Sequence, residues 1–165
     1  MKKFLLSIVV LAGLATATQA QVHPHALGLR LGGGSINGVE LSYQHGLSSK
    51  NRLEFDAGAF THKDFSRIGL AGIYQWDWNL TGGLNWFIGP GAALSLDSYE
   101  NGGSGLGLAV GGQIGLEYDL NKQKLPLLIS LDARPMYELI GDYSGANWGI
   151  ALGVRYTWGK TASKK

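Results

Sequence analysis

Cysteine is absent from the 165 residues, and that absence removes three readings at once: a disulfide framework, a thiolate metal site and a lipid-modified N-terminal cysteine. After Ala20 no apolar run approaches the roughly 20 residues that a membrane-spanning helix needs. Lysine is missing from every regularly alternating stretch: Lys50, Lys63, Lys122, Lys124, Lys160, Lys164 and Lys165 all fall in turns, loops or the tail. A real surplus of basic charge is missing as well. The formal net charge of +2 depends on Lys2 and Lys3 near the N-terminus and on Lys160, Lys164 and Lys165 near the C-terminus. Without these, acidic residues outnumber basic ones, so a nucleic-acid partner has no electrostatic support.

What is present begins with a leader. Lys2 and Lys3 precede an apolar run over 4–14 that ends in small residues before Ala20, the pattern of a secretory signal peptide over 1–20. Cleavage after Ala20, rather than after Ala17, leaves a chain starting at Gln21. Residues 21–158 then suit one domain, followed by a polar tail over 159–165. Many of the 26 glycines fall inside alternating stretches. They would leave a soluble core hard to fill, whereas a narrow barrel accepts small inward residues.

The clearest alternation is the last one, over 148–158. Trp148, Ile150, Leu152, Val154, Tyr156 and Trp158 share one face of a period-two strand, and Gly149, Ala151, Gly153, Arg155 and Thr157 share the other. A large apolar face backed by a small face with one charge predicts lipid outside and a narrow polar lumen inside. The same pattern recurs over 26–33, 39–45, 52–61, 67–79, 84–94, 106–119 and 127–139. Pro90 lacks a ladder amide and predicts a bulge in the fifth run. Polar, glycine-rich stretches over 97–105 and 141–147 predict loops. The fold class is therefore all-β, an eight-stranded antiparallel up-and-down transmembrane β-barrel, with strands of about ten residues.

An even strand count returns both termini to one side, which in bacterial barrels is the periplasm. Tyr43, Trp76, Trp78, Trp86, Tyr118, Tyr156 and Trp158 then lie at periplasmic strand ends, and Tyr137 and Trp148 at extracellular ends, as two aromatic girdles. The competing architecture is a soluble, lipocalin-like ligand-binding barrel. Its solvated strand faces would carry lysine, whereas a confined lumen favours arginine, whose planar fork pairs with carboxylates.

Several segments carry a family resemblance: Leu41-Ser42-Tyr43-Gln44-His45-Gly46-Leu47-Ser48, Asn51-Arg52-Leu53-Glu54-Phe55-Asp56, Gly72-Ile73-Tyr74-Gln75-Trp76, Gly111-Gly112-Gln113-Ile114-Gly115-Leu116-Glu117-Tyr118 and Asp132-Ala133-Arg134-Pro135. On these the chain resembles the small outer-membrane β-barrels common in Bacteroidetes and, more distantly, OmpA/OmpX-type barrels. The resemblance implies fold and outer-membrane location, and assigns no reaction. Gly153, Tyr156 and Trp158 resemble the closing-strand signal read by the barrel-assembly machinery. Ala151 departs from its usual polar slot, and the tail continues beyond Trp158.

The candidate site is the lumen, where Arg30, Glu40, Glu54, Asp56, Gln75, Gln113, Glu117, Asp132, Arg134 and Arg155 point inward as a salt-bridged plug. With Asp77 included, three arginines face six carboxylates. A conducting pore fits less well, because eight strands leave an interior just wide enough for side chains. A lipid-A-modifying enzyme would need a nucleophile and base near the outer leaflet. His62, Asp64 and Ser66 share one loop there, but nothing fixes their geometry or supplies an oxyanion hole. No cofactor is indicated. His23, third from a free amine after cleavage, has the spacing that wraps Cu(II) or Ni(II) in a square-planar nitrogen set, unless Gln21 cyclises. Phe65, Tyr99, Glu100, Asp142, Tyr143 and Asn147 could form an extracellular binding surface. The expectation is a monomer with outer-membrane lipid and the assembly machinery as partners and a structural or surface-interaction role. The extracellular ligand, if there is one, is not written in the sequence.

Overall fold

The computed structural model describes residues 22–32, 38–61, 65–100, 102–141 and 145–159. Its strands are β1 (His25–Gly32), β2 (Gly38–Gly46), β3 (Asn51–Thr61), β4 (Phe65–Thr81), β5 (Leu84–Tyr99), β6 (Ser104–Asp119), β7 (Leu127–Ala133), β8 (Met136–Ile140), β9 (Gly145–Asn147) and β10 (Ile150–Trp158). A 3-10 turn, Leu120–Gln123, joins β6 to β7.

Ten segments make eight staves. β7 and β8 both pair with β6, and Ile114↔Ala133 and Gly111↔Met136 share one register across the gap between them. β9 and β10 likewise form one stave, through Met136↔Asn147 and Ala133↔Ile150. All pairings are antiparallel, and β1 closes on β10 with Gly28 opposite Arg155. The result is an eight-stranded closed barrel with no free sheet edge among the described residues.

The pleat decides which side chains meet which medium. Arg30 is 1% exposed between Leu29 at 47% and Leu31 at 44%. The same alternation runs along β10, where Ala151, Gly153, Arg155 and Thr157 are buried while Ile150, Leu152, Val154, Tyr156 and Trp158 are exposed. In a water-soluble protein charged residues are almost never fully buried unless paired. Here the charges line the interior and the leucines, isoleucines and tryptophans face out, the arrangement that a hydrocarbon surround stabilises.

Four local expectations need correction. The ladder stays in register through Pro90, which sits opposite Gly112, so no bulge forms there. On the β4 side, pairing resumes unshifted from Ile73↔Gly91 to Trp76↔Ile88. The missing proline amide falls where the chains are already pressed together: a Cβ on Gly89 would stand 1.6 Å from the Tyr74 carbonyl oxygen. Register shifts occur instead between Asn79 and Thr81 and between Leu108 and Ala109.

The run over 127–139 is interrupted at Arg134 and Pro135, because proline donates no ladder bond. Gly112 donates to the Pro135 carbonyl at 3.0 Å and Arg134 donates to the Gly149 carbonyl at 3.0 Å, which holds the broken stave in place. The polar stretch over 97–105 is mostly ladder, with Asp97↔Gly105 and Ser98↔Ser104 paired. Asp97 can extend the strand because it turns inward onto Arg67. The stretch over 141–147 similarly contributes β9, and the closing stave breaks at Trp148 and Gly149.

Candidate functional site

The lumen is filled in layers. Nearest the terminal rim, Arg52 on β3 donates to Glu117 at 2.8 Å, lies 3.6 Å from Asp77, and stacks its guanidinium 5.0 Å from the centre of the Phe87 ring. Above it Gln75 donates to Gln113 at 2.8 Å, and Gln113 donates to Glu54 at 3.1 Å. Glu54 is the hub of this level. It also accepts from Gln44 at 2.7 Å, Arg155 at 3.0 Å and Arg134 at 3.1 Å. Arg155 spends its other donors on Ser42 at 2.9 Å and Ser130 at 2.8 Å.

The next layer joins Arg30 to Glu40 at 2.7 Å and to Asp132 at 2.6 Å, while Arg134 donates to Asp56 and reaches Glu40 at 3.5 Å. All ten predicted lumen residues are buried, and each bonds to another lumen side chain. These pairs are fully desolvated, so each guanidinium is worth having only because its carboxylates are present, and the reverse.

Four further residues belong to the cluster. Arg52 is a fourth buried arginine and moves the charge balance towards neutrality. It stands two residues before Glu54, so period two already put it on the inward face; its position at a strand end hid it. Ser42, Gln44 and Ser130 also turn inward as the uncharged donors and acceptors that complete the Glu54 and Arg155 shells.

Ala71, Ile73, Ala93, Ala109 and Met136 pack together as an apolar cluster inside the barrel, with Ala71 opposite Asp56 and Ile73 opposite Glu54 across the β3–β4 ladder. Towards the rim away from the termini Arg67 meets Asp97 through two bonds, at 2.6 and 2.8 Å, with Glu138 beside them.

The terminal mouth is latched by His23. Its Nε2 lies 3.0 Å from Asp119 and 3.2 Å from Asn121, while the Val22 amide donates to the Ser49 carbonyl at 3.3 Å. In the square-planar copper set expected for a chain cleaved after Ala20, the Val22 amide nitrogen would be a ligand, so that set and this backbone bond exclude one another. His23→Ala is expected to change global stability by only about 1 kcal/mol but to abolish slow hydrogen exchange at the Val22 amide. Undiminished protection there would show that the latch does not hold the segment.

Gly153 packs against Ser130 and Arg155, while Tyr156 and Trp158 point outward with ring centres 6.4 Å apart. Trp158 stacks on His25 at 5.4 Å, and Trp78 on Trp86 at 4.6 Å, within the girdle of the terminal rim. Trp148 stands 68% exposed at the other rim. Of the loop residues considered for acyl chemistry, Ser66 donates to the Thr61 hydroxyl at 3.4 Å, and His62 and Asp64 lie outside the described residues. Among the candidates for a loop surface, Asp142 and Tyr143 also lie outside them, and so does the Phe65 side chain. Glu100 and Asn147 are exposed at the far rim, and Tyr99 is half-buried there.

No protein-family model and no curated protein matches the chain. Among solved structures it is similar to Neisserial surface protein A, with a TM-score of 0.60 at 13% identity over 81% of this chain and 94% of that one. It is also similar to Ail, the attachment invasion locus protein of Yersinia pestis, with a TM-score of 0.45 at 14% identity over 81% of this chain and 93% of that one. The first likeness is one of fold and agrees with an eight-stranded barrel of the outer-membrane kind.

Proposed function

We propose that the chain is an integral outer-membrane barrel, sealed to ions, that serves as a rigid envelope element and presents its far-rim loops as an interaction surface outside the cell. The observation that carries this reading is the inverted distribution of side chains: four arginines and their carboxylates are buried inside, and the wall facing out is apolar. Such a surface is stable only in lipid. The secretory leader supplies the route, and the rim carrying both termini is then the periplasmic one. A surface role is in keeping with the printed name of the Neisserial structure. Outer-membrane lipid and the assembly machinery are the partners this reading requires, the latter reading Gly153, Tyr156 and Trp158 before the β1–β10 seam closes. The protein acts as a monomer and does no chemistry in its lumen, whose carboxylates are occupied by arginines rather than facing a substrate cavity.

The test is gel mobility of the protein from purified outer membranes, unheated and boiled, followed by planar-bilayer recording. A heat-dependent shift without steady unitary conductance is expected. An unshifted protein in the soluble periplasmic fraction would overturn the membrane reading in favour of a soluble barrel, and steady conductance would overturn the sealed lumen.

A further inference from the structure

The terminal rim has a composition that neither the lumen nor the girdle explains. Lys50, Lys122 and Lys124 are exposed in its turns, and each turn also exposes a leucine: Leu47 at 50% beside Lys50, Leu125 at 50% beside Lys124, and Leu80 at 39% near Gly82, whose carbonyl accepts from the Lys122 ammonium. The carboxylates nearby are already taken: Asp119 is held by His23 at 3.0 Å and by the Asn121 amide at 2.8 Å, and Asp77 is buried facing Arg52. The opposite rim is different. Its described residues contain no lysine and expose Glu100.

We infer that the terminal rim is a binding surface for the headgroups of anionic phospholipids in the adjacent leaflet. The inference rests on the membrane reading above. Exposed ammonium groups at the rim that carries the tryptophan girdle stand where lipid phosphates lie. The lysine-bearing turns also expose leucines, and an amphipathic ligand satisfies both: the leucine meets acyl chain and the lysine stem carries its charge to the headgroup. A soluble or polymeric anion such as the peptide carboxylates of the cell-wall mesh would satisfy only the charges and leave Leu47, Leu80 and Leu125 in water. This is why lipid is the better occupant.

Tryptophan fluorescence reads the rim directly. Of the five tryptophans, Trp76, Trp78, Trp86 and Trp158 lie towards this rim and Trp148 at the other. Trp148→Phe therefore restricts emission to the surface of interest. The full mature chain with this change is refolded into phosphatidylcholine vesicles containing either brominated phosphatidylglycerol or brominated phosphatidylcholine, and quenching is compared. The expected result is an apparent affinity about three- to tenfold higher for the anionic lipid, lost in high salt and lost in Lys50→Gln/Lys122→Gln/Lys124→Gln. Those exposed positions leave the barrel intact, which heat-dependent mobility verifies. Equal quenching by both lipids, or a preference unchanged in the triple variant, overturns the inference while leaving the membrane reading in place. Quenching by neither lipid overturns both. Salt-sensitive co-sedimentation with purified cell-wall sacculi, without any lipid preference, also overturns it and makes the wall polymer the partner.

Discussion

Arg134→Met is expected to destabilise the folded barrel by about 3–5 kcal/mol, the cost of leaving buried charges without their partner. Arg134 is completely buried and serves three carboxylates, Glu54 at 3.1 Å, Glu40 at 3.5 Å and Asp56. Two of them keep another guanidinium when it is lost: Glu54 retains Arg155 at 3.0 Å and Glu40 retains Arg30 at 2.7 Å. Asp56 loses its ion-pair partner. The double variant Arg134→Met/Asp56→Leu should therefore recover much of the loss, because removing both members of a buried pair is often close to neutral. Urea unfolding in phospholipid bilayers, followed by tryptophan emission, measures both. A single variant within about 1 kcal/mol of the parent, the value of a solvent-screened pair, would mean that water reaches Asp56 and that the lumen is wetter than its geometry implies.

The lumen was legible because period two leaves little choice. Once Leu29 and Leu31 face lipid, Arg30 must face in; once Leu53 and Phe55 face out, Glu54 must face in. Which partner each charge finds was not legible. Arg30 and Asp132 are far apart in sequence and meet at 2.6 Å only because β1 and the β7 stave both border β10, and no local pattern encodes that. The strand ends misled for a related reason. Asp97 reads as loop chemistry until Arg67 on the neighbouring stave is seen to accept it into the barrel. Pro90 and Pro135 show the limit of residue rules. Both lack the ladder amide, yet only Pro135 lies at a break between strand segments, while the register passes Pro90 unshifted beside the close approach of Gly89 to Tyr74. The apolar cluster of Ala71, Ile73, Ala93, Ala109 and Met136 is built from residues too ordinary to flag alone, and becomes visible only when the five inward positions are seen to pack together.

Gly28→Ala should do more damage than its single methyl group suggests, and it should do so at the seam that makes the sheet a barrel. Gly28 pairs with Arg155 across β1 and β10, the first and last strands, whose meeting carries the longest loop-closure cost in the chain. A Cβ there would stand 1.9 Å from the Val154 carbonyl oxygen and 2.6 Å from the Arg155 Cα. These are backbone atoms that cannot swing aside as a side-chain tip would, so the strands must part. Parting them stretches the closing ladder and shifts the base of Arg155, whose guanidinium bridges Glu54, Ser42 and Ser130. Overpacking a tight site costs about 1–3 kcal/mol, and the added loss of buried ion pairing should carry Gly28→Ala to the upper end of that range or past it. Gly72→Ala is the matched control. It adds the same methyl group to β4, away from the seam and on the outward face, where the new atom meets only the Phe55 ring at 3.9 Å. On unheated gels after refolding, Gly72→Ala should run as the compact form, whereas Gly28→Ala should run largely as the unfolded one. If both fold equally well, the β1–β10 spacing is softer than the ladder implies, and closure of this barrel is driven by the lumen charges rather than by the fit of its seam.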